Sequence, residues 1–371
     1  MHPVFWLVLG LGVVVGLYVL GTIYLAVLLR WEDEHTVGIR YYGLSPAGRE
    51  RFKGRLRFHA RLLSPLLWLN ARLSTMDFRK ARVQHQGVSF PPGSCSVESC
   101  AAATSYQPRP ADVFVVTQMK CGTTWMEHVV YEVLRRGNGN LVESGTALYA
   151  VAPWLEGRRS VSVQDAPLHG AERPSRIIKT HLPAHLCPAA PAARYIYVAR
   201  HPVSCFASCI DFVATNVGAM APHLAAYEEW FTTPELMWWG TWTAHVRGWW
   251  ERAERDGNVL YVYFEDMKRD LAAVVQRVAA FLGVAPLTAP ELARVVEKCG
   301  FSYMQAHQDN FEMHPPHILQ TNAALFVRGS ADRHKDVPAD ARQRILAWAA
   351  AGLAGAGAAL AQAYPDVAAG G

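Results

Sequence analysis

Residues 112–134 constrain this chain more than any other stretch. Residues 113–116 are apolar and rich in β-branched side chains, the pattern of a strand buried on both faces. Residues 117–124 are polar and carry Lys120, Cys121, Gly122 and the hydroxyls of Thr123 and Thr124. Trp125, Val129, Val130 and Val133 then recur at helical spacing. A strand, a tight loop and a helix N-terminus together aim backbone N–H groups at an anion. Lys120 adds a mobile cation, so the stretch reads as a phosphate cradle. An ordinary strand-to-helix turn would share the glycine and both threonines, and the loop alone leaves the two readings open.

The rest of the chain repeats the alternation. Strand-like runs at 113–116, 176–179, 195–199 and 259–264 are each followed by polar residues and a helix-compatible segment. That order predicts an α/β fold: a single P-loop-like domain whose central parallel sheet is flanked by helices, with ligands at the carboxyl ends of the strands. It would occupy 111–350, followed by an Ala/Gly-rich tail at 351–371. Residues 339–363 are helix-prone, weakened at the end by Gly352, Gly355 and Gly357. A hydrophobic content of 51% excludes a disordered chain, and a net charge of +5 is too mild to argue for nucleic acid. The seven cysteines are scattered without a zinc pattern or disulfide-like spacing, which suits reduced thiols and no metal.

Residues 4–29 contain no charge. At ~1.5 Å per residue they are long enough to cross a ~30 Å hydrocarbon core with tilt. A cleaved signal peptide would want a basic start and a small-residue cleavage site, and neither is visible. Residues 1–30 therefore read as a transmembrane helix preceding the domain. Basic residues follow the run, from Arg30 and Arg40 through Arg49, Arg51, Lys53, Arg55, Arg57 and Arg61, while none precedes it. The expected topology is a single-pass membrane protein with a cytoplasmic catalytic domain. Residues 31–110 form a basic juxtamembrane segment and linker, in which 49–61 could face lipid head groups or water. Residues 62–69 are apolar but too short to span, and could lie at the interface or on the domain; 85–110 are expected to be irregular.

Three further motifs sit just past the predicted strands: Lys179-Thr-His-Leu-Pro183, Tyr197-Val-Ala-Arg-His-Pro202 with Ser208, and Leu260-Tyr through Glu265-Asp-Met-Lys268. Together they resemble the PAPS-dependent sulfotransferases, most closely the cytosolic-type small-molecule branch. That family shows Lys-Ser-Gly-Thr-Thr-Trp where this chain has Lys120-Cys-Gly-Thr-Thr-Trp125. Its Lys-Thr-His-Leu-Pro is identical here, and its Tyr-Val-Ala-Arg-Asn-Pro differs only at His201. Ser208 stands at the family's offset from Arg200, and Trp249-Trp250 is a further landmark. The resemblance covers roughly 110–335 in order and spacing. A Walker A loop fails as an alternative, because Lys120 precedes the only glycine.

The resemblance implies PAPS as sulfuryl donor, PAP as product, and in-line transfer to a hydroxyl or amine of a small, apolar acceptor. Lys120, Lys179 and His181 would be catalytic, with His181 as general base. Lys120, Cys121, Gly122, Thr123 and Thr124 would hold the 5′-phosphosulfate, and Trp125 and Phe264 the adenine. Arg200, Ser208, Arg328 and Gly329 would hold the 3′-phosphate. Residues 211–224, 230–242 and 303–319 would build the acceptor pocket, with a few of the clustered tryptophans lining it. A membrane-bound glycan or protein-tyrosine sulfotransferase, or another P-loop-like nucleotide enzyme, is the alternative. Cys121 departs from the family's Ser, and either a reactive thiolate beside Lys120 or a passive substitution would fit. The family's C-terminal Lys-x-x-x-Thr-Val dimer motif is not visible, so no dimer is expected, and the oligomeric state stays open.

Overall fold

The computed structural model describes residues 3–312, 315–318, 335–355 and 363–368. In chain order the helices are α1 (Pro3–Thr36), α2 (Pro46–Leu62), α3 (Ser64–Leu73), α4 (Val97–Thr104), α5 (Thr123–Leu134), α6 (Pro202–Val217) and α7 (Leu224–Thr232). They continue as α8 (Trp242–Arg255), α9 (Phe264–Arg269), α10 (Leu271–Leu282), α11 (Ala289–Lys298), α12 (Phe301–Ala306) and α13 (Ala339–Gly352). The strands are β1 (Val83–His85), β2 (Val88–Phe90), β3 (Asp112–Thr117), β4 (Arg176–Thr180), β5 (Arg194–Ala199) and β6 (Val259–Tyr263). The last expected strand is one residue shorter than predicted: Phe264 opens α9, whose first turn carries Glu265 and Asp266 at the positive helix end.

β3 to β6 form one parallel sheet in the order β4-β3-β5-β6. β3 pairs Val115 with Lys179 of β4 and Val116 with Tyr197 of β5. Every residue of β3 is buried, because the two faces feed separate cores. Phe114, Val116, Ile178, Tyr195 and Tyr197 face Phe206 of α6 and Trp249 of α8. Val113, Val115, Ile177, Ile196 and Val198 face Val129 and Val133 of α5 and Val275 of α10. This period-two split is why the strands read as nearly unbroken apolar runs. Since β4 leaves β3 on one side and β5 on the other, a crevice opens at the carboxyl ends of all three strands.

The N-terminal part departs from expectation in detail. α1 runs past the uncharged segment and roots in the domain: Glu32 accepts from the Ile318 N–H at 3.1 Å, and Asp33 pairs with Arg158 and Arg159, each at 2.8 Å. Residues 62–69 choose neither expected position alone; they break α2 from α3, and Leu63 and Leu66 pack on Leu28 of α1. Residues 85–110 are not irregular. They contain β2 and α4, the latter started by a reciprocal Ser96–Ser99 capping box.

Candidate active site

The loop between β3 and α5 is held in a conformation that side chains seldom adopt. Lys120 has φ +65° and Gly122 φ +102°. A Cβ on Gly122 would lie 2.7 Å from the Phe264 ring, so this position needs glycine both for its backbone and for its neighbour. α5 starts at Thr123, and its first N–H groups have no intrahelical acceptor. From the end of β5, Arg200 donates to the Lys120 carbonyl at 2.8 Å and lies over the Phe264 ring at 4.5 Å. Its Nε is buried with no hydrogen-bond partner among the described residues. Trp125 meets Phe264 edge-on at 5.5 Å and is aimed by its indole N–H donating to the Cys299 carbonyl at 2.8 Å. Ser208 is buried on α6, which begins two residues after Arg200. Arg328 and Gly329 lie outside the described residues.

Across the crevice, β4 ends in Lys179, Thr180 and then His181, all buried. His181 Nδ1 is 2.9 Å from the Thr117 carbonyl oxygen, which can only accept. That contact puts the proton on Nδ1 and leaves Nε2 as the acceptor, the tautomer a base requires. Thr117 also links His181 to the loop, through hydroxyl contacts of 3.2 Å to Nδ1 and 2.6 Å to Thr123. The backbone on either side of the ring is pinned. The His181 N–H donates to Glu156 at 2.7 Å, and its carbonyl lies 2.9 Å from Nε2 of buried His245.

Lys179 Nζ donates to the Tyr149 hydroxyl at 2.6 Å and sits 3.7 Å over the Trp154 ring. Burial lowers its pKa to about 8 against the opposing pull of Glu127 and Glu156, while Lys120 pushes further down. Glu127, one turn into α5, is fully buried, neither carboxylate oxygen has a hydrogen-bond partner among the described residues, and burial raises its pKa to about 7. The Lys120 ammonium lies 4.7 Å over the Phe212 ring. One crevice thus brings together three cationic or proton-accepting groups, a helix N-terminus and an aromatic corner. That equipment suits transfer of an anionic group.

The sequence profile of the sulfotransferase domain family matches residues 110–345. The chain belongs to the sulfotransferase domain family. Its reaction class is sulfuryl transfer. Human sulfotransferase 2B1 is 29% identical over 66% of this chain and 66% of its own length, and rat sulfotransferase 2B1 is 30% identical over 71% and 78%. Human sulfotransferase 1C2 is 28% identical over 63% of this chain and 79% of its own. The solved structure of mouse sulfotransferase SULT7A1 with PAP shares the fold at TM-score 0.55 and 22% identity, covering 73% of this chain and 94% of that one. A retinol dehydratase with androsterone and PAP does so at 0.60 and 18%, covering 76% and 95%.

In this sulfotransferase the expected loop residues 120–125, Lys179, His181, Arg200 and Phe264 converge on the carboxyl ends of β3, β4, β5 and β6. Cys121 is fully buried, and its thiol donates to Cys205 at 3.6 Å. Burial and the Cys205 contact push that thiol far up, which favours the passive substitution over a thiolate at Cys121. Of the expected acceptor walls, Trp239 reaches His181, their rings 4.7 Å apart, whereas Trp230 stacks on Phe78 and Trp242 donates to the Arg200 carbonyl. Met304 and Phe311 instead pack in the α5 core. Sequence reasoning missed Tyr149, Trp154, Glu156 and Glu127. The one available signal was acidic residues standing inside otherwise apolar stretches.

Proposed function

We propose that this chain is a membrane-anchored sulfotransferase that uses PAPS to sulfate a hydroxyl or amine of a small apolar acceptor. The observation that carries it is the convergence of Lys120, Lys179 and His181 on one crevice, with the proton of His181 on Nδ1. The residues fit PAPS: Arg200 Nε is a buried donor lacking a partner among the described residues, and the Gly122 loop leaves no room for a Cβ against Phe264. PAPS, when bound, supplies the activated sulfuryl group. Gly122, Thr123 and Thr124 would hold its 5′ end through N–H and hydroxyl donors at the α5 N-terminus. Arg200 and Ser208 would hold the 3′-phosphate, joined by Arg328 and Gly329, and Trp125 and Phe264 the adenine.

Lys120 would neutralise negative charge at the leaving phosphate oxygen, and Lys179 would stabilise the transferring group's oxygens. His181 Nε2 takes the acceptor's proton. Trp154, Trp239 and Phe212 exclude water on the acceptor side and favour an apolar molecule. Androsterone and retinol in two similar solved structures, and the hydroxysteroid in a relative's name, support an apolar hydroxyl acceptor without choosing one. α1 is long and apolar enough to span a bilayer, and the basic flank favours a cytoplasmic catalytic domain. In domain terms, 1–30 anchors and 111–350 catalyses.

Incubating the full-length protein in detergent or nanodiscs with radiolabelled PAPS and a panel of phenols, sterols, retinoids and amines tests this reading. Labelled product and PAP release are expected with at least one apolar hydroxyl compound. Absence of both donor turnover and PAP binding would overturn it.

A further inference from the structure

The polar and apolar halves of α1 are not equally bare. Residues 4–17 are exposed all round, but from Tyr18 onward α2 and α3 double back along the helix. The contacts climb in register. Tyr24 bonds His59 at 2.7 Å, Gly21 faces the Leu66 side chain, and the Tyr18 hydroxyl donates to Asn70 at 2.9 Å. α3 is therefore antiparallel to α1 and rises beside its uncharged segment. Tyr18 is 11 residues before Leu29, about 16 Å along the helix axis. The 26-residue run of about 39 Å exceeds a ~30 Å hydrocarbon core by about 9 Å, so Asn70 would lie at least about 7 Å inside even if all the excess were on this side.

The outward face of this pair is apolar. Among the described residues no element covers Phe58 (64% exposed), Leu62 (60%), Trp68 (59%) and Leu73 (71%), and Leu69 lies beside them. Arg57, Arg61 and Arg72 stand among them, with the Arg72 guanidinium 5.2 Å over the Trp68 ring. Arg57 and Arg61, near the level of the Tyr24–His59 contact, suit anionic head groups, while Arg72 lies deeper and packs its guanidinium on the Trp68 ring within the apolar face. The face is also continuous with the segment of α1 that would cross the bilayer.

This surface leads to the crevice. Just after α3, the Met76 N–H donates to the Met220 carbonyl at 2.8 Å, in the turn that closes α6. α6 carries Phe212, the ring beneath the Lys120 ammonium. Two residues beyond Met76, Phe78 stacks on Trp230 at 4.5 Å. We infer that the α2–α3 hairpin is embedded in the same phospholipid monolayer as the base of α1, and that it opens the acceptor side of the crevice to bilayer-dissolved molecules. The inference rests on α1 spanning a membrane and on the sulfotransferase reading of the crevice.

The test uses the full chain in nanodiscs of phosphatidylcholine and phosphatidylserine. An environment-sensitive fluorophore is attached at Leu69→Cys, at Leu73→Cys and at the exposed control Arg51→Cys; all seven native thiols are buried. Quenching by doxyl-labelled lipid several-fold stronger at 69 and 73 than at 51, with protection from iodide, is expected. Iodide quenching equal to the control overturns the inference, as does protection from both quenchers, which would mean a second protein copy covers the face. This arm needs no turnover, so it separates failure of the lipid surface from failure of the enzyme reading. In the second arm, Leu69→Glu with Leu73→Glu should raise KM for a bilayer-dissolved acceptor about tenfold, because a carboxylate facing hydrocarbon is costly. KM for a water-soluble phenol should hold. Equal loss with both acceptors overturns delivery from the membrane.

Discussion

The two sides of the crevice are built on different principles. The donor side is contiguous and backbone-heavy: a strained loop, the start of α5, and side chains that leave the ends of β3, β5 and β6 directly. The acceptor side is assembled from separate loops, with Tyr149, Trp154, Phe212 and Trp239 meeting only in three dimensions. A charged group of fixed shape demands donors at fixed positions, and local sequence must spell out that geometry. An apolar molecule demands only a surface of suitable shape, which many combinations of aromatic residues supply.

The comparison breaks first at the reacting groups. His181→Ala should lower kcat by about 10²–10⁴, and Lys120→Ala by about 10²–10³, while PAP still binds the His181 variant. Near-normal single-turnover rates in His181→Ala would remove the base from this side of the crevice. Arg200→Met should act on the donor instead. Losing a buried charge partner of the 3′-phosphate costs ~2–5 kcal/mol, so KM for PAPS should rise about 30-fold or more with acceptor KM unchanged. Discrimination against APS should shrink in the same assay, and an unaltered PAPS-to-APS ratio would take Arg200 out of the 3′ site.

Lys179 sharpens the comparison because it serves both sides. Its pKa of about 8 means that the ammonium is present below that pH and lost above it, so kcat/KM should fall as pH rises through about 8. Glu127 favours the charged form, and Glu127→Gln should move that limb to lower pH. A limb that stays fixed would mean that Glu127 does not tune the lysine. On the acceptor side, Trp239→Phe should change acceptor KM only several-fold, since a ring remains against His181, and leave KM for PAPS alone. A larger shift for PAPS than for the acceptor would erase the division between the two sides.

The same division explains what could be read from the amino acids. All four parallel strands were legible because burial on both faces forces apolar β-branched runs, and the turns after them carry the charged residues. Lys120, Gly122, Lys179, His181 and Arg200 were legible for the same reason. Tyr149 and Trp154 were not, because nothing local marks a residue whose task is to touch Lys179 from a different loop. Glu127 was hidden by its helix: its neighbours read as core, and its burial shows only once α5 is packed. The sequence left the α2–α3 hairpin open between the membrane interface and the domain, because a ten-residue apolar helix is too short to announce a membrane and its packing on α1 is tertiary.

The smallest expected effect concerns the loop residue that departs most from its family. Cys121 donates to Cys205, whose own thiol donates to the Met119 carbonyl at 3.3 Å, so the pair ties the loop to α6 without any exposed sulfur. Cys121→Ser keeps a donor of nearly the same size in that position. The hydroxyl is harder to bury than a thiol, but Cys205 remains beside it to accept, which limits the cost to about 1 kcal/mol. Thermal unfolding should shift by a few degrees at most, and kcat and KM for PAPS should stay within about twofold, because no step asks for a thiolate. Alkylating reagents should leave the folded wild type active for as long as both thiols stay buried. A large loss of kcat in Cys121→Ser, with stability unchanged, would show that the loop uses its sulfur chemically, and the donor side would then no longer be a scaffold of backbone and cations alone.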